Sequence, residues 1–126
     1  MPDKAAMPAF SKPPADLVER FARVMAERPA ASVRQMFGSP AAFVNGYMTT
    51  GLHGQGWFVR LSGADAAELT AAGGGPFEPM PGRPMRGYTV LPLGMADDPA
   101  VAGTWVDRAT GYVASLPPKK LPVGRS

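Results

Sequence analysis

Two arginines on either side of a proline are the residues whose type and spacing most strongly suggest chemistry. Arg83 and Arg86 lie in a proline-rich segment, where fixed φ angles restrict the directions in which the two side chains point. Guanidinium groups are well suited to bind carboxylates and phosphates, so the pair predicts an anion-binding or partner-binding site. Arg60 and Tyr88 are candidate further members. The alternative is that the two arginines face water or pair with a local acid such as Glu78.

Motifs typical of an enzyme do not accompany these arginines. The sequence has no cysteine and one histidine, His53, in a glycine-flanked turn, so it lacks the ligands of a common zinc site. Ser39 and Ser62 have no nucleophile-elbow motif around them. The glycine run at 73–75, followed by Pro76, comes after a predicted helix instead of opening one, the reverse of a phosphate-binding loop. We therefore expect no catalytic residue, no metal and no cofactor, and a protein that is not an enzyme.

Eight methionines in the chain raise the alternative of an adaptable binding surface. Two of them, Met80 and Met95, fall in predicted loops. Four others lie in segments of helical or strand periodicity: Met25, Met36, Met48 and Met85. A methionine in a periodic segment more commonly fills a core, so we predict core packing for the group as a whole.

The positive charge of the chain is concentrated near its end. The net charge is +3 and the isoelectric point is about 9.6, values that invite a nucleic-acid hypothesis. Three basic residues, Lys119, Lys120 and Arg125, lie in the last eight positions, and residues 1–118 hold equal numbers of acidic and basic side chains. We therefore expect no tight binding of nucleic acid, and only weak binding through the tail.

The length of 126 residues suits one domain. The sequence predicts a flexible arm over 1–13, a single domain over 14–117 and a basic, disordered tail over 118–126. Apolar stretches are too short for a membrane helix or for the core of a signal peptide, so we expect a cytoplasmic protein with no membrane contact.

In the first half of the chain, a helix is followed by strands. Residues 14–28 place their apolar side chains on one helical face, and Pro29 ends the helix. Asn45-Gly46 is typical of the type I′ turn of a tight hairpin. The predicted strands cover 32–37, 41–44, 47–52 and 57–61.

In the second half, prolines separate two helices. Residues 62–72 begin with capping-box spacing and predict a short helix. Four prolines over 74–86 predict an extended edge or loop, and strand character resumes over 85–93. Asp98-Pro99 is typical of a helix start. These elements predict an α+β fold, a two-layer sandwich with an antiparallel sheet and helices on one face.

Short motifs along the chain resemble the TfoX/Sxy N-terminal domain in their order and spacing. The first half contributes Met36-Phe37-Gly38, residues 43–48 and residues 57–61. The second half contributes Gly75-Pro76-Phe77, Gly82-Arg83-Pro84-Met85 leading to Tyr88, Leu91-Pro92, Asp98-Pro99 and Trp105. The likeness spans residues 15–116.

The resemblance implies the element order α-β(3)-α-β(2)-α, in agreement with the periodicity. Family proteins that regulate natural competence carry a second, helical domain, and we expect this sequence to be a stand-alone first domain. Together with the lack of catalytic motifs, the resemblance predicts a non-catalytic regulatory domain that acts through contacts with another protein, with a homodimer as a further possibility. The alternative is a protein that binds a small anionic ligand in a pocket formed by Arg83 and Arg86.

Overall fold

The computed structural model describes residues 12–36 and 38–117. Most of the predicted N-terminal arm, up to residue 11, and the whole predicted basic tail over 118–126 lie outside the described residues. In the described ranges, no helix has both the length and the apolar character needed to cross a membrane.

Six strands form one sheet in which every neighbouring pair is antiparallel. The strands are β1 (Ser32–Met36), β2 (Ser39–Val44), β3 (Tyr47–His53), β4 (Gly56–Arg60), β5 (Gly75–Pro76) and β6 (Tyr88–Val90). Their order across the sheet is β1-β2-β3-β4-β6-β5. The first four strands follow one another as hairpins because each connecting turn is tight, and β6 pairs with β4 after α2 and a long loop.

The predicted hairpin turn at Asn45-Gly46 is confirmed. Asn45 has a φ of 52° and Gly46 a φ of 86°, and these positive values at both central positions are those of a type I′ turn. The turn brings Val44 opposite Tyr47 and sets the register of β2 against β3. A bulge between Ala42 and Phe43 interrupts that register once.

Four helices lie against one face of the sheet: α1 (Ala15–Ala26), α2 (Gly63–Ala71), α3 (Leu93–Ala96) and α4 (Pro99–Ala114). Both predicted N-caps are confirmed. The Ser62 hydroxyl accepts a hydrogen bond from the Asp65 amide at 3.2 Å, and the Asp98 carboxylate accepts one from the Ala100 amide at 3.0 Å. Each cap satisfies an amide that the helix itself leaves unpaired.

The hydrophobic core lies between these helices and the sheet. Trp57 of β4 is fully buried there, and the ring of Phe21 from α1 meets it edge to face with the centroids 5.2 Å apart. The indole N–H of Trp57 donates to the Thr50 hydroxyl at 2.9 Å, which in turn donates to the Phe58 carbonyl at 2.8 Å. These two bonds satisfy the indole N–H and the Thr50 hydroxyl, both of which are buried.

The predicted fold class is confirmed, and the element order matches it with two additions. Four strands precede α2, at the four segments that the periodicity predicts, where the order implied by the resemblance has three. The turn between β1 and β2 lies at Gly38, whose φ is 84°, and β2 begins at Ser39. Pro40 has no amide N–H to donate. It lies opposite Gln35 of β1, and the pairing of β2 with β3 begins only at the next residue, so β3 requires no hydrogen bond from it. The short helix α3 was not predicted, since four residues carry no detectable period.

Candidate functional site

The sheet face turned away from the helices, here called the outer face, carries a row of apolar residues. Ala41 pairs with Gly51, Gly51 with Phe58, and Phe58 with Val90, and residues opposite one another in neighbouring strands point to the same face. Gly51 has no side chain to fill the space above it. A Cβ atom there would lie 2.7 Å from the ring of Phe58, so the ring rests directly over the glycine.

A loop over residues 77–85 crosses this face. Its ends are joined because the Met85 amide donates to the Phe77 carbonyl at 2.8 Å. Its tip is a turn in which the Arg83 amide donates to the Met80 carbonyl at 2.9 Å, with Pro81 and Gly82 (φ 78°) in the two central positions of a type II turn. The loop is therefore a defined structure although most of its residues are exposed.

Phe77 attaches the loop to the sheet. Its ring stacks on that of Phe58, with centroids 4.2 Å apart and planes 15° from parallel. It also meets the rings of His53 and Tyr88 edge to face, at 5.6 Å and 5.9 Å between centroids. Phe77 and Phe58 are 4% and 3% exposed, so the aromatic contact forms a small second core on the outer face.

A groove of about 540 Å³ lies between the loop and the sheet. Its size falls within the range of about 300–1,000 Å³ common for ligand pockets. Its polar lining includes Ser39 and His53. Its principal apolar lining residues are Met36, Met48, Phe58, Phe77, Met80 and Met85.

The prediction that the methionines fill the core as a group is wrong for those in the groove. Met25 is buried in the core, but Met36, Met80 and Met85 are exposed. Met36 is exposed because β1 is an edge strand in which all five residues are exposed, and Met80 and Met85 are exposed because they lie in the loop. The period-2 pattern of a single strand does not reveal its place in the sheet. The adaptable-surface alternative describes these side chains better.

His53 ends β3 and forms part of the groove wall. Partial burial lowers the pKa of its imidazole below the ordinary value, because removal from water disfavours the charged form. The groove therefore holds a neutral histidine near pH 7, and its polarity is low.

Arg60 and Tyr88, two of the four residues predicted from the sequence, face each other across β4 and β6. The guanidinium carbon of Arg60 lies 5.8 Å from the ring centroid of Tyr88 and 5.2 Å from that of Tyr47. The Tyr88 hydroxyl donates to the Met48 carbonyl at 2.8 Å. Burial raises the pKa of Tyr88, and the charge of Arg60 opposes this shift. The Nε of Arg60 is buried without a hydrogen-bond partner among the described residues.

Arg83 and Arg86, the other two predicted residues, lie exposed in the loop and just after it. In the described part of the chain, neither forms an ion pair with Glu78. The groove lining contains neither of them. The structure thus brings Arg60 and Tyr88 together, whereas the two loop arginines are exposed and lie outside the groove lining.

Arginines in the helix layer are all ion-paired. Arg28 makes two hydrogen bonds to the Asp107 carboxylate, at 2.8 Å and 3.1 Å, and joins the end of α1 to α4. Arg108 of α4 reaches Glu68 of α2 at 2.9 Å. The remaining pairs are Arg20 with Asp16 and Asp97, Arg23 with Glu19, Arg28 with Glu27, and Arg108 with Asp65. Eight of the nine acidic residues in the described ranges belong to this layer or to its connections, so its charge is net negative.

The opposite side of the molecule carries a set of basic residues that we call the outer-face arginines: Arg34, Arg60, Arg83 and Arg86. Arg34 lies over the ring of Phe43, with its guanidinium carbon 4.4 Å from the ring centroid. No outer-face arginine lies within ion-pair distance of an acid in residues 12–36 and 38–117, where Glu78 is the one acid on this side. The fold therefore separates charge between its two faces.

A family model describing the TfoX N-terminal domain matches residues 23–112. The chain belongs to this family. No curated protein and no solved structure matches the chain. The matched range begins within α1 and ends within α4, so it includes the whole sheet and the loop over the groove.

Side chains that could hold a metal ion do not cluster in this TfoX N-terminal domain: the described residues contain no group of three or more His, Asp or Glu suited to it. The candidate site is instead the apolar groove, and sequence reasoning missed it. One signal could have indicated it. Phe58 alternates with Trp57 and Val59, so β4 carries large apolar side chains on both faces, which a sheet with one solvated face does not require.

Proposed function

We propose that this TfoX N-terminal domain is a non-catalytic regulatory domain that acts by binding another protein through the outer face of its sheet. The observation that carries the proposal is the half-open apolar groove, whose rim exposes Met36, Met80 and Met85. Contiguous apolar surface on a small domain is typical of an interaction site, because exposing it to water is unfavourable. The regulatory part of the proposal comes from the resemblance to competence regulators.

Methionine suits a surface that binds a protein segment. Its unbranched side chain adapts to the shape of an incoming apolar group, and its thioether is polarisable. Four methionines line the groove around the fixed pair of Phe58 and Phe77. A rigid floor with adaptable walls favours recognition of apolar side chains over the positioning of a reacting group.

A small anionic ligand held by Arg83 and Arg86 is the alternative, and the groove supports it less well. Neither arginine lines the groove, whose polar residues include a serine and a histidine with a lowered pKa. An anion placed there would lose water without gaining a charged partner.

The test is capture of proteins from lysate of the source cells by the domain and by two matched variants. Met80 and Leu93 are each 61% exposed, the first at the groove and the second on α3 in the helix layer. Met80→Glu and Leu93→Glu therefore introduce the same charge at equal exposure. Melting temperatures of both variants close to that of the parent would show that they fold.

The expected result is a set of proteins captured by the parent and by Leu93→Glu at equal yield and lost with Met80→Glu. Equal capture by all three proteins would place the binding elsewhere. Capture by none of them above the level of bare resin, at low and at physiological salt, would contradict the proposed function.

A further inference from the structure

Each outer-face arginine is close in sequence or across the sheet to a residue that lines the groove. Arg34 lies opposite Ala41, and Arg60 is two positions from Phe58 on the same face of β4. In the loop, Arg83 follows the lining residue Pro81 by two positions. Arg86 is next to the lining residue Met85. The groove is thus an apolar recess with a basic border.

We infer that the groove receives a segment of a partner protein that combines long apolar side chains with aspartate or glutamate. The apolar side chains enter between the loop and the sheet, and the carboxylates pair with the arginines at the border. This inference rests on the proposed protein-binding function and adds the chemistry of the partner.

Charge complementarity carries the inference. In the helix layer, Arg20, Arg23, Arg28 and Arg108 each have an acidic neighbour within 4 Å. The outer-face arginines have none among the described residues, and Arg34, Arg83 and Arg86 are exposed to solvent. An acidic partner gains charge-assisted hydrogen bonds from these groups without breaking an ion pair between described residues.

The same surface fits nucleic acid less well. A base needs an accessible aromatic face to stack on, and Phe58 and Phe77 are stacked on each other and almost fully buried. The residues that line the groove include no arginine or lysine that could bind a phosphate. A symmetric dimer through this face fits less well too, since it would set two basic borders against each other.

Peptide display gives a direct test, because it leaves the chemistry of the partner open. Random twelve-residue peptides are selected on the immobilised domain, with Met80→Glu protein used to remove peptides that bind elsewhere. We expect the selected peptides to be enriched in Asp and Glu together with Leu, Met and Phe. Selection of basic peptides, of peptides without charge bias, or of none at all would overturn the inference. None of these results would decide the proposed protein-binding function, because the lysate experiment tests it independently of the charge of the partner.

Binding of the most frequently selected peptide then tests the role of the border. Arg83→Glu and Arg23→Glu change charge equally at exposed positions, the first in the basic border and the second on α1 in the helix layer. The dissociation constant is expected to rise about fivefold with Arg83→Glu and less than about twofold with Arg23→Glu, in keeping with a border charge pair. Equal effects of the two substitutions would contradict a directional role for the border.

Salt and competing ligands complete the test. Raising the salt from low to high should weaken binding of the acidic peptide, because the border is exposed to solvent. Labelled single-stranded and duplex DNA are tested at the same salt. If either binds more tightly than the peptide, and if Met80→Glu abolishes that binding, nucleic acid and not a protein segment occupies the groove. Peptide binding that competes with self-association of the domain would instead assign the face to a second copy.

Discussion

The ring of Phe77 stacks on the ring of Phe58, 4.2 Å between centroids and 15° from parallel. This contact joins the proline-rich loop to the sheet, since the loop has few other buried residues. The groove therefore exists because one aromatic side chain of the loop is anchored. Removing this aromatic contact should therefore affect both the loop and the groove.

Replacing Phe77 by alanine should release the loop and destabilise the domain. Loss of a buried phenyl ring costs about 3 kcal/mol or more in the free energy of unfolding. The Met85 amide, which bonds to the Phe77 carbonyl, should exchange its hydrogen faster. Phe43→Ala serves as control, because Phe43 is half-buried on the same face but does not belong to the loop. Unchanged exchange at Met85 would show that the loop is held in another way.

Gly51→Ala should disturb the floor of the groove. The new Cβ atom would lie 2.7 Å from the Phe58 ring and 3.1 Å from the backbone of Ala41, so the ring must move. We expect a loss of about 1–3 kcal/mol in the free energy of unfolding, as for other overpacked sites. Gly111→Ala is the control, since open space surrounds Gly111 in α4. Alanine there should stabilise by up to about 1 kcal/mol, and chemical denaturation measures both variants.

Stability should depend on pH through His53. Burial lowers the pKa of this imidazole in the folded state below its ordinary value of 6.5. The folded protein then binds fewer protons than the unfolded one as the pH falls below that value. The part of the free energy of unfolding that is linked to His53 is therefore fully present above about pH 6.5, and it decreases on acidification toward the folded-state pKa.

Two measurements check this dependence. His53 is the sole histidine, so its imidazole resonances give the folded-state pKa in an NMR titration without assignment ambiguity. In His53→Gln the change in melting temperature between pH 7 and pH 5 should be smaller than in the parent. A folded-state pKa at or above 6.5 would contradict the expected direction.

Binding of duplex DNA should be weak and should depend on the basic residues beyond position 117. Three basic side chains predict a slope of about 3 or less in a plot of log affinity against log salt. Truncation after Pro117 should abolish the binding and change the melting temperature little, because the hydrogen bond from the Tyr47 hydroxyl to the Pro117 carbonyl at 2.7 Å is retained. Tight binding by the truncated protein near physiological salt would assign DNA to the outer-face arginines, against the partner inferred above.

Local sequence signals determined where the elements begin and turn. Asn45-Gly46 predicts its hairpin, and Ser62 and Asp98 predict their caps, because each depends on the chain within a few residues. The motifs along residues 15–116 predicted the family that the match over 23–112 then showed. The α+β class follows from the same local information, since hairpin strands and amphipathic helices leave few ways to bury their apolar faces.

The site depended on contacts between distant segments. Met36 and Met25 both lie in periodic segments, yet one borders the groove and the other is in the core, according to which face of the sheet the helices cover. Likewise, the acidic and basic residues of positions 1–118 balance in number but not in space. Arg28 finds Asp107 across 79 positions, whereas Arg83 finds no acid among the described residues. A side chain's neighbours are set by the packing of whole elements, and that packing only the tertiary structure decides.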